Sequence, residues 1–256
     1  MKKIILLLAL FSVIFTLTSC QKAEEITVTK YFQSMQANDK DTMAAMAVEP
    51  KDIEFKSFKI TIDEEPTITP LALPKLQKEK TDLTKAKRDQ VNVALDKRDE
   101  VDELQFELEE TRRRTKKQEL GKRIEELNGE LEEEEKKVRD IQAHINQLNQ
   151  MIKLEKNMIT MSTGISQNYE LYTGETHHMK ALADVTLTNG EAKKYVFLLR
   201  KDMLKLEDRA NPAGRLIITK IETEEDFQKL MQQKEEAEKT QTEEVTEEQP
   251  ATEEQQ

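Results

Sequence analysis

The stretch LGKRIEELNGELEEEEKKVRDIQAHINQLNQMIKLEKNMI, residues 120–159, decides the architecture. Steps of four and three residues from Leu120 land on Ile124, Leu127, Leu131, Glu134, Val138, Ile141, Ile145, Leu148, Ile152, Glu155 and Ile159. Ten of these twelve positions are Leu, Ile or Val. That density makes a coiled-coil seam, because a 3.5-residue repeat keeps one stripe of a helix turned toward a partner. Upstream, a less apolar frame runs Leu76, Lys80, Leu83, Lys87, Gln90, Ala94, Lys97, Val101, Leu104 and Leu108. Carried past Leu108, this frame misses Leu120 by an offset that neither one stutter of four nor one stammer of three produces. A turn between the two arms accounts for it. The basic cluster Arg112, Arg113, Arg114, Lys116 and Lys117 lies there.

Residues 75–162 therefore read as an antiparallel helical hairpin rather than one long dimerising helix. The two acidic seam positions, Glu134 and Glu155, are expected to face Lys97 and Lys80. Those pairings place the turn near residues 116–117. An arm of about 38 residues is roughly 57 Å long at 1.5 Å per residue.

Outward from the hairpin, residues 20–74 and 163–231 are mixed α and β. Ile26, Val28, Tyr31, Phe32 and Met35 share a helical face, and a loop follows at Asn38-Asp39-Lys40-Asp41. A short helix from Thr42 to Ala47 precedes a strand carrying Ile53, Phe55, Phe58, Ile60 and Ile62. The Phe55–Phe58 step breaks the two-residue period and predicts a bulge or a change of face. In the second part, Tyr169, Leu171 and Thr173 alternate, as do Ala183, Val185 and Leu187. Asn189-Gly190 predicts a type I′ hairpin turn, with a return strand at Tyr195–Leu199. Asn211-Pro212-Ala213-Gly214 makes a further turn, a last strand covers Leu216–Ile221, and a closing helix starts at Asp226. The chain leaves and re-enters this region around the hairpin, so the fold class is α+β: a small antiparallel-sheet domain with a long inserted helical hairpin.

An N-terminal helix with an aromatic pair, the loop NDKD (38–41), a short Ala/Met helix and a sheet ending in RLIITKIE (215–222) together resemble the NTF2-like, cystatin-like α+β cone fold. That resemblance implies a cone-shaped sheet around a core. It leaves function open, since the family contains isomerases, hydrolases and non-catalytic binding modules.

The N-terminus has Lys2 and Lys3, an apolar run from Ile4 to Leu17, then Leu17-Thr18-Ser19-Cys20. The run is shorter than the roughly 20 residues that span a bilayer, and reads as a signal peptide, residues 1–19. Its last four residues resemble the bacterial lipobox. The resemblance implies cleavage between Ser19 and Cys20 and a lipid on the Cys20 thiol, hence a membrane partner and a cell-envelope location. Gln21 resembles the outer-membrane sorting rule, so in a cell with two membranes the chain would face the periplasm from the outer one. Cys20 is the only cysteine, so no intrachain disulfide can form.

Charged residues make up 36% of the chain and Trp is absent, a composition of long helices and solvated faces rather than of one large core. The net charge is −11, and residues 232–256 hold nine Glu against two Lys. That segment is expected to be a disordered tail. Without Lys2 and Lys3 the mature chain is more acidic still, which argues against nucleic acid as a partner.

No catalytic constellation, metal site or cofactor motif emerges. His177 and His178 are adjacent in an extended segment, so they point to opposite faces, and His144 lies off the seam. Asp184 points outward if Ala183 and Val185 are core. Phosphate-binding Gly-rich loops, nucleophile elbows and helical His-Glu zinc motifs are missing. The expected role is non-enzymatic: a lipid-anchored protein that engages a protein partner through its coiled coil. A small-ligand or catalytic cone is one alternative. An efflux-type periplasmic adaptor is another, although PTITPLALPKLQ (66–77) and MSTGISQNYELY (161–172) lack the Gly-rich lipoyl-like halves that flank such hairpins.

Overall fold

A computed structural model describes residues 22–62, 65–206 and 214–247. The signal segment, Cys20 and Gln21 lie outside the described residues, as do Asn211, Pro212 and Ala213 and the chain after Glu247. The protein is α+β, with a five-stranded sheet and an inserted pair of long helices. It divides into two compact units, one containing the sheet and the other spanning Leu71–Ile159 and Ser166–Thr173.

In the α+β unit, α1 (Ala23–Gln36) buries Val28, Tyr31, Phe32, Ser34 and Met35 at helical spacing. Ile26, expected on the same face, is half exposed. Asn38 takes a left-handed conformation and Asp39 caps α2 (Lys40–Met46), its carboxylate accepting from the Thr42 amide at 3.0 Å and hydroxyl at 2.6 Å. The helix thus begins two residues earlier than its apolar residues predict.

The sheet has the order β1 (Phe55–Thr61), β3 (Thr173–Leu187), β4 (Ala192–Lys205), β5 (Ile217–Thr223), and β2 (Thr67–Pro70) also pairs with β3. β1 pairs antiparallel with β3, and its register slips between Phe55 and Ser57. That bulge lets both Phe55 and Phe58 turn toward α1. Tyr169–Leu171 is a 3₁₀ turn rather than the expected strand.

The β3–β4 loop differs from the expected type I′ turn. Asn189 is not in the left-handed region; Gly190 is, at φ 89°. Leu187 donates to the Glu191 carbonyl at 2.8 Å and Gly190 donates back to Leu187 at 2.9 Å. This is a three-residue loop closed by a glycine bulge.

Phe32 stacks on Phe58 at 4.3 Å and meets Phe55 and Phe197 edge-on or tilted. Ala181, Ala183 and Val185 of β3 and Ile218 and Ile221 of β5 close the core beneath these rings. The Tyr31 hydroxyl donates to the Lys51 carbonyl and accepts from its amide, so its burial leaves no orphan polar group.

The inserted unit holds α3 (Ala72–Glu110) and most of α4 (Arg114–Thr163). Finally, α5 (Glu224–Glu247) starts at a reciprocal cap: the Thr223 hydroxyl bonds the Asp226 carboxylate and accepts from its amide. Its helical backbone extends well beyond residue 231, where the sequence reading ends the folded domain.

Candidate functional site: the helical arm

Arm formation follows from the seam. None of the twelve positions from Leu120 to Ile159 is exposed; Leu120, Leu127, Ile145, Leu148 and Ile159 are buried, while Ile124, Leu131, Val138, Ile141 and Ile152 are half-buried. The ten α3 positions from Leu76 to Leu108 are likewise all buried or half-buried, including Lys80, Lys87, Gln90 and Lys97. Polar groups at such sites keep their ends in water while their stems cover apolar surface.

The register differs from the expected one. The chain reverses at Thr111–Arg113, between the end of α3 and the start of α4, not near 116–117. Partners shift accordingly. Lys97 bonds Glu130 in place of Glu134, and Glu134 takes Gln90 and Lys137. Lys80 forms no ion pair among the described residues, so the anticipated Glu155–Lys80 pair does not form; Glu155 itself is only 4% exposed. Further links join the arms from Lys87 to Gln142 at 2.6 Å, from Arg98 to Glu135 at 2.6 Å and from Arg123 to Glu100 at 3.6 Å. The Glu130 bond holds the Lys97 ammonium pKa above its ordinary value and pulls the Glu130 carboxyl down. Lys137, chiefly, does the same to Glu134.

At the tip, Arg112 and Arg113 lie in the turn, while Arg114, Lys116 and Lys117 occupy the first turn of α4. Cations there oppose the helix dipole. Lys116 offsets this through Glu107 at 2.5 Å; Arg112, Arg113, Arg114 and Lys117 make no ion pair among the described residues.

A groove of about 530 Å³ runs between α3 and α4, lined by Lys80, Thr81, Thr84, Lys85, Arg88 and Lys156, with Gln77 at one end and Ile152 on its floor. Sequence periodicity marked Lys80 and Ile152 as seam positions only. The groove was legible in the absence of any carboxylate at 77, 80, 81, 84, 85 and 88, one face of a helix through three turns.

The three histidines and Asp184 add little chemistry. His144 approaches Glu79 at 3.4 Å. His178 bonds Thr69 at 3.1 Å, whereas His177 lies on the opposite face of β3. Asp184 is exposed between buried Ala183 and Val185. Among the described residues, no three His, Cys, Asp or Glu side chains are grouped as metal ligands, and no helix is long and apolar enough to cross a membrane.

A buried polar node in the α+β unit had no sequence signal. Asp202, wholly buried on β4, accepts from Thr176 at 2.9 Å and from Arg200 at 2.8 and 2.9 Å, while its second carboxylate oxygen has no partner. Its amide donates to the Ser162 hydroxyl and its carbonyl accepts from Gly214. A Cβ at Gly214 would collide with the Asp202 carbonyl and the Ser162 hydroxyl, so glycine permits the approach. Four elements distant in sequence meet here, which no local pattern announces.

No protein-family model, curated protein or solved structure matches the chain.

Proposed function

We propose that this protein is a lipid-anchored cell-envelope lipoprotein whose helical arm binds or spaces a partner without catalysing a reaction. The observation that carries this reading is the arm: two helices of 39 and 50 residues satisfy each other along one continuous seam and leave long charged flanks in solvent. Such flanks suit recognition of a partner. The α+β unit supports the same reading. An NTF2-like cone that bound a small molecule would need space beneath its sheet, and here Phe32, Phe55, Phe58 and Phe197 fill that space. The anchor rests on Leu17-Thr18-Ser19-Cys20 alone. A diacylated cysteine buries many methylenes at about 0.8 kcal/mol each, enough for durable attachment.

Two measurements test the parts separately. Cys20→Ala should abolish palmitate incorporation and release the protein into the soluble envelope fraction; label retained by that variant overturns the anchor. Photo-crosslinkers placed at exposed arm positions such as Arg88, Asp99 and Lys136 should trap one recurring partner in cells. Crosslinks confined to the α+β unit would instead make the sheet domain the binding element.

A further inference from the structure

We infer that the groove between α3 and α4 is a binding site for a linear polyanion whose charges are phosphate groups. The inference gives a partner class to the arm and so rests on the arm being a binding element; it does not depend on the lipid anchor. Lys80, Lys85, Arg88 and Lys156 surround the groove, and Thr81, Thr84 and Gln77 add hydroxyl and amide groups between them. No carboxylate lines it. This is unusual placement on a chain of net charge −11. Farther along the arm, Lys97, Arg98, Arg123, Lys137 and Arg139 are each matched to a glutamate. Lys80, Lys85 and Arg88 have no ion-pair partner among the described residues. The Lys156 ammonium, on the α4 side of the groove, lies 5.2 Å from the Tyr169 ring centroid, within cation–π range.

The shape favours a thin, extended ligand. Lys80, Lys85 and Arg88 are spaced at about 7.5 and 4.5 Å along the helix axis, a line of positive charge that an extended chain with a negative charge on every unit can follow. An acidic helix would need apolar anchors in the groove at intervals of three and four residues, and Ile152 is the one apolar side chain lining it. Nucleic acid would need aromatic faces for its bases, and the lining has none.

The test uses the chain from residue 20 onward, as Cys20→Ala, with short linear inorganic polyphosphate as probe and calorimetry as readout. With contacts to Lys80, Lys85 and Arg88, the log–log dependence of affinity on salt should have a slope of about −2, as for flexible single-stranded polyanions. Lys85→Gln with Arg88→Gln should weaken binding by about tenfold or more at low salt and make the slope shallower by about 1.4. Both side chains are exposed and Gln is a good helix former, so helicity by circular dichroism should hold. The swap Lys85→Arg with Arg88→Lys should restore binding. Lys75→Gln with Lys78→Gln removes the same charge from the side of α3 that also bears Glu79 and Asp82, and should leave affinity within about twofold. Orthophosphate at equal phosphate concentration should compete poorly. The groove is overturned by no binding, by equal loss in the two Gln pairs, or by poly-glutamate binding as tightly as polyphosphate. Any of these with a partner still crosslinked to the arm in cells would remove the groove and leave the arm's binding role standing.

Discussion

Phe32 in the α+β unit and Leu127 in the arm are buried to the same degree, yet their surroundings differ completely. Phe32 touches three other aromatic rings, and its neighbours come from a helix and from strands far apart in sequence. Leu127 sits in a seam one side chain thick, and Glu125, Glu126, Asn128, Gly129 and Glu130 around it are all exposed. Burial in the first region is three-dimensional, so each residue is defined by many others. In the second it is linear, so each is defined by its phase. The difference teaches that the arm can tolerate changes of flank charge that the sheet domain cannot tolerate in its core, which suits an element whose sides are its working surface.

The largest expected effect is Phe32→Ala. It removes the ring that joins α1 to β1 and β4 and should cost about 3–5 kcal/mol, read by denaturant unfolding followed in the near-ultraviolet aromatic signal. A loss below 1 kcal/mol would mean that the core is no better packed than the seam. Asp202→Ala should cost about 3 kcal/mol, because removing one partner of a buried charge pair leaves the other poorly compensated. Thermal denaturation of that variant in parallel with a charge removal on the arm sharpens the contrast between buried and solvated ions.

Leu127→Ala should cost about 2–3 kcal/mol, toward the lower part of the range for buried leucines, since solvent reaches both sides of the seam. The far-ultraviolet helical melt measures it. An effect as large as that of Phe32→Ala would erase the distinction between the regions.

The smallest effect is that of pH on the arm. Glu130 and Glu134 are held below the ordinary carboxyl range, through Lys97 and Lys137 respectively. Folded, they bind fewer protons than unfolded, so their stabilisation is present above about pH 4.3 and is lost as pH falls through their folded values. Lys97 is held above its ordinary range, so its contribution is present at neutral pH and is lost as pH rises through its raised value. The helical melting temperature should therefore fall modestly from pH 7 to pH 3, and added salt should shrink the fall. A fall that is indifferent to salt would assign it to something other than these solvated pairs.

How legible each region was follows from the same contrast. The seam from Leu120 to Ile159 could be read residue by residue because phase is a local property. The turn could not: Thr111–Arg113 and Thr115–Lys117 are equally polar, so the stripe alone leaves the reversal point free by a few residues, and with it the partner of Lys97. In the α+β unit, the outward Asp184 and the bulge at Phe55 came from alternation. Asn189-Gly190 was read as the wrong turn type because the loop holds three residues, which depends on how the flanking strands pair. The node of Ser162, Thr176, Arg200, Asp202 and Gly214 was invisible, being an agreement among segments that no short window contains. The groove lay between these cases, since half of it is one face of α3 and the rest comes from α4.

The point of insertion has a consequence for how the chain reaches its fold. Pro70 and Glu175 are opposed in the β2–β3 ladder, and Phe55 pairs with Leu187 across the entire inserted segment. Closing so long a loop between unstructured ends is slow, because its entropy must be lost before any strand contact forms. A helical hairpin grows from local contacts on a far shorter timescale. Zipping from Thr111–Arg113 outward would draw β2 and β3 together and leave only residue 71 and residues 164–172 between the helices and those strands. The arm would then be the kinetic jig for the sheet, and lesions in its seam would slow sheet formation even where they leave the finished α+β unit unchanged.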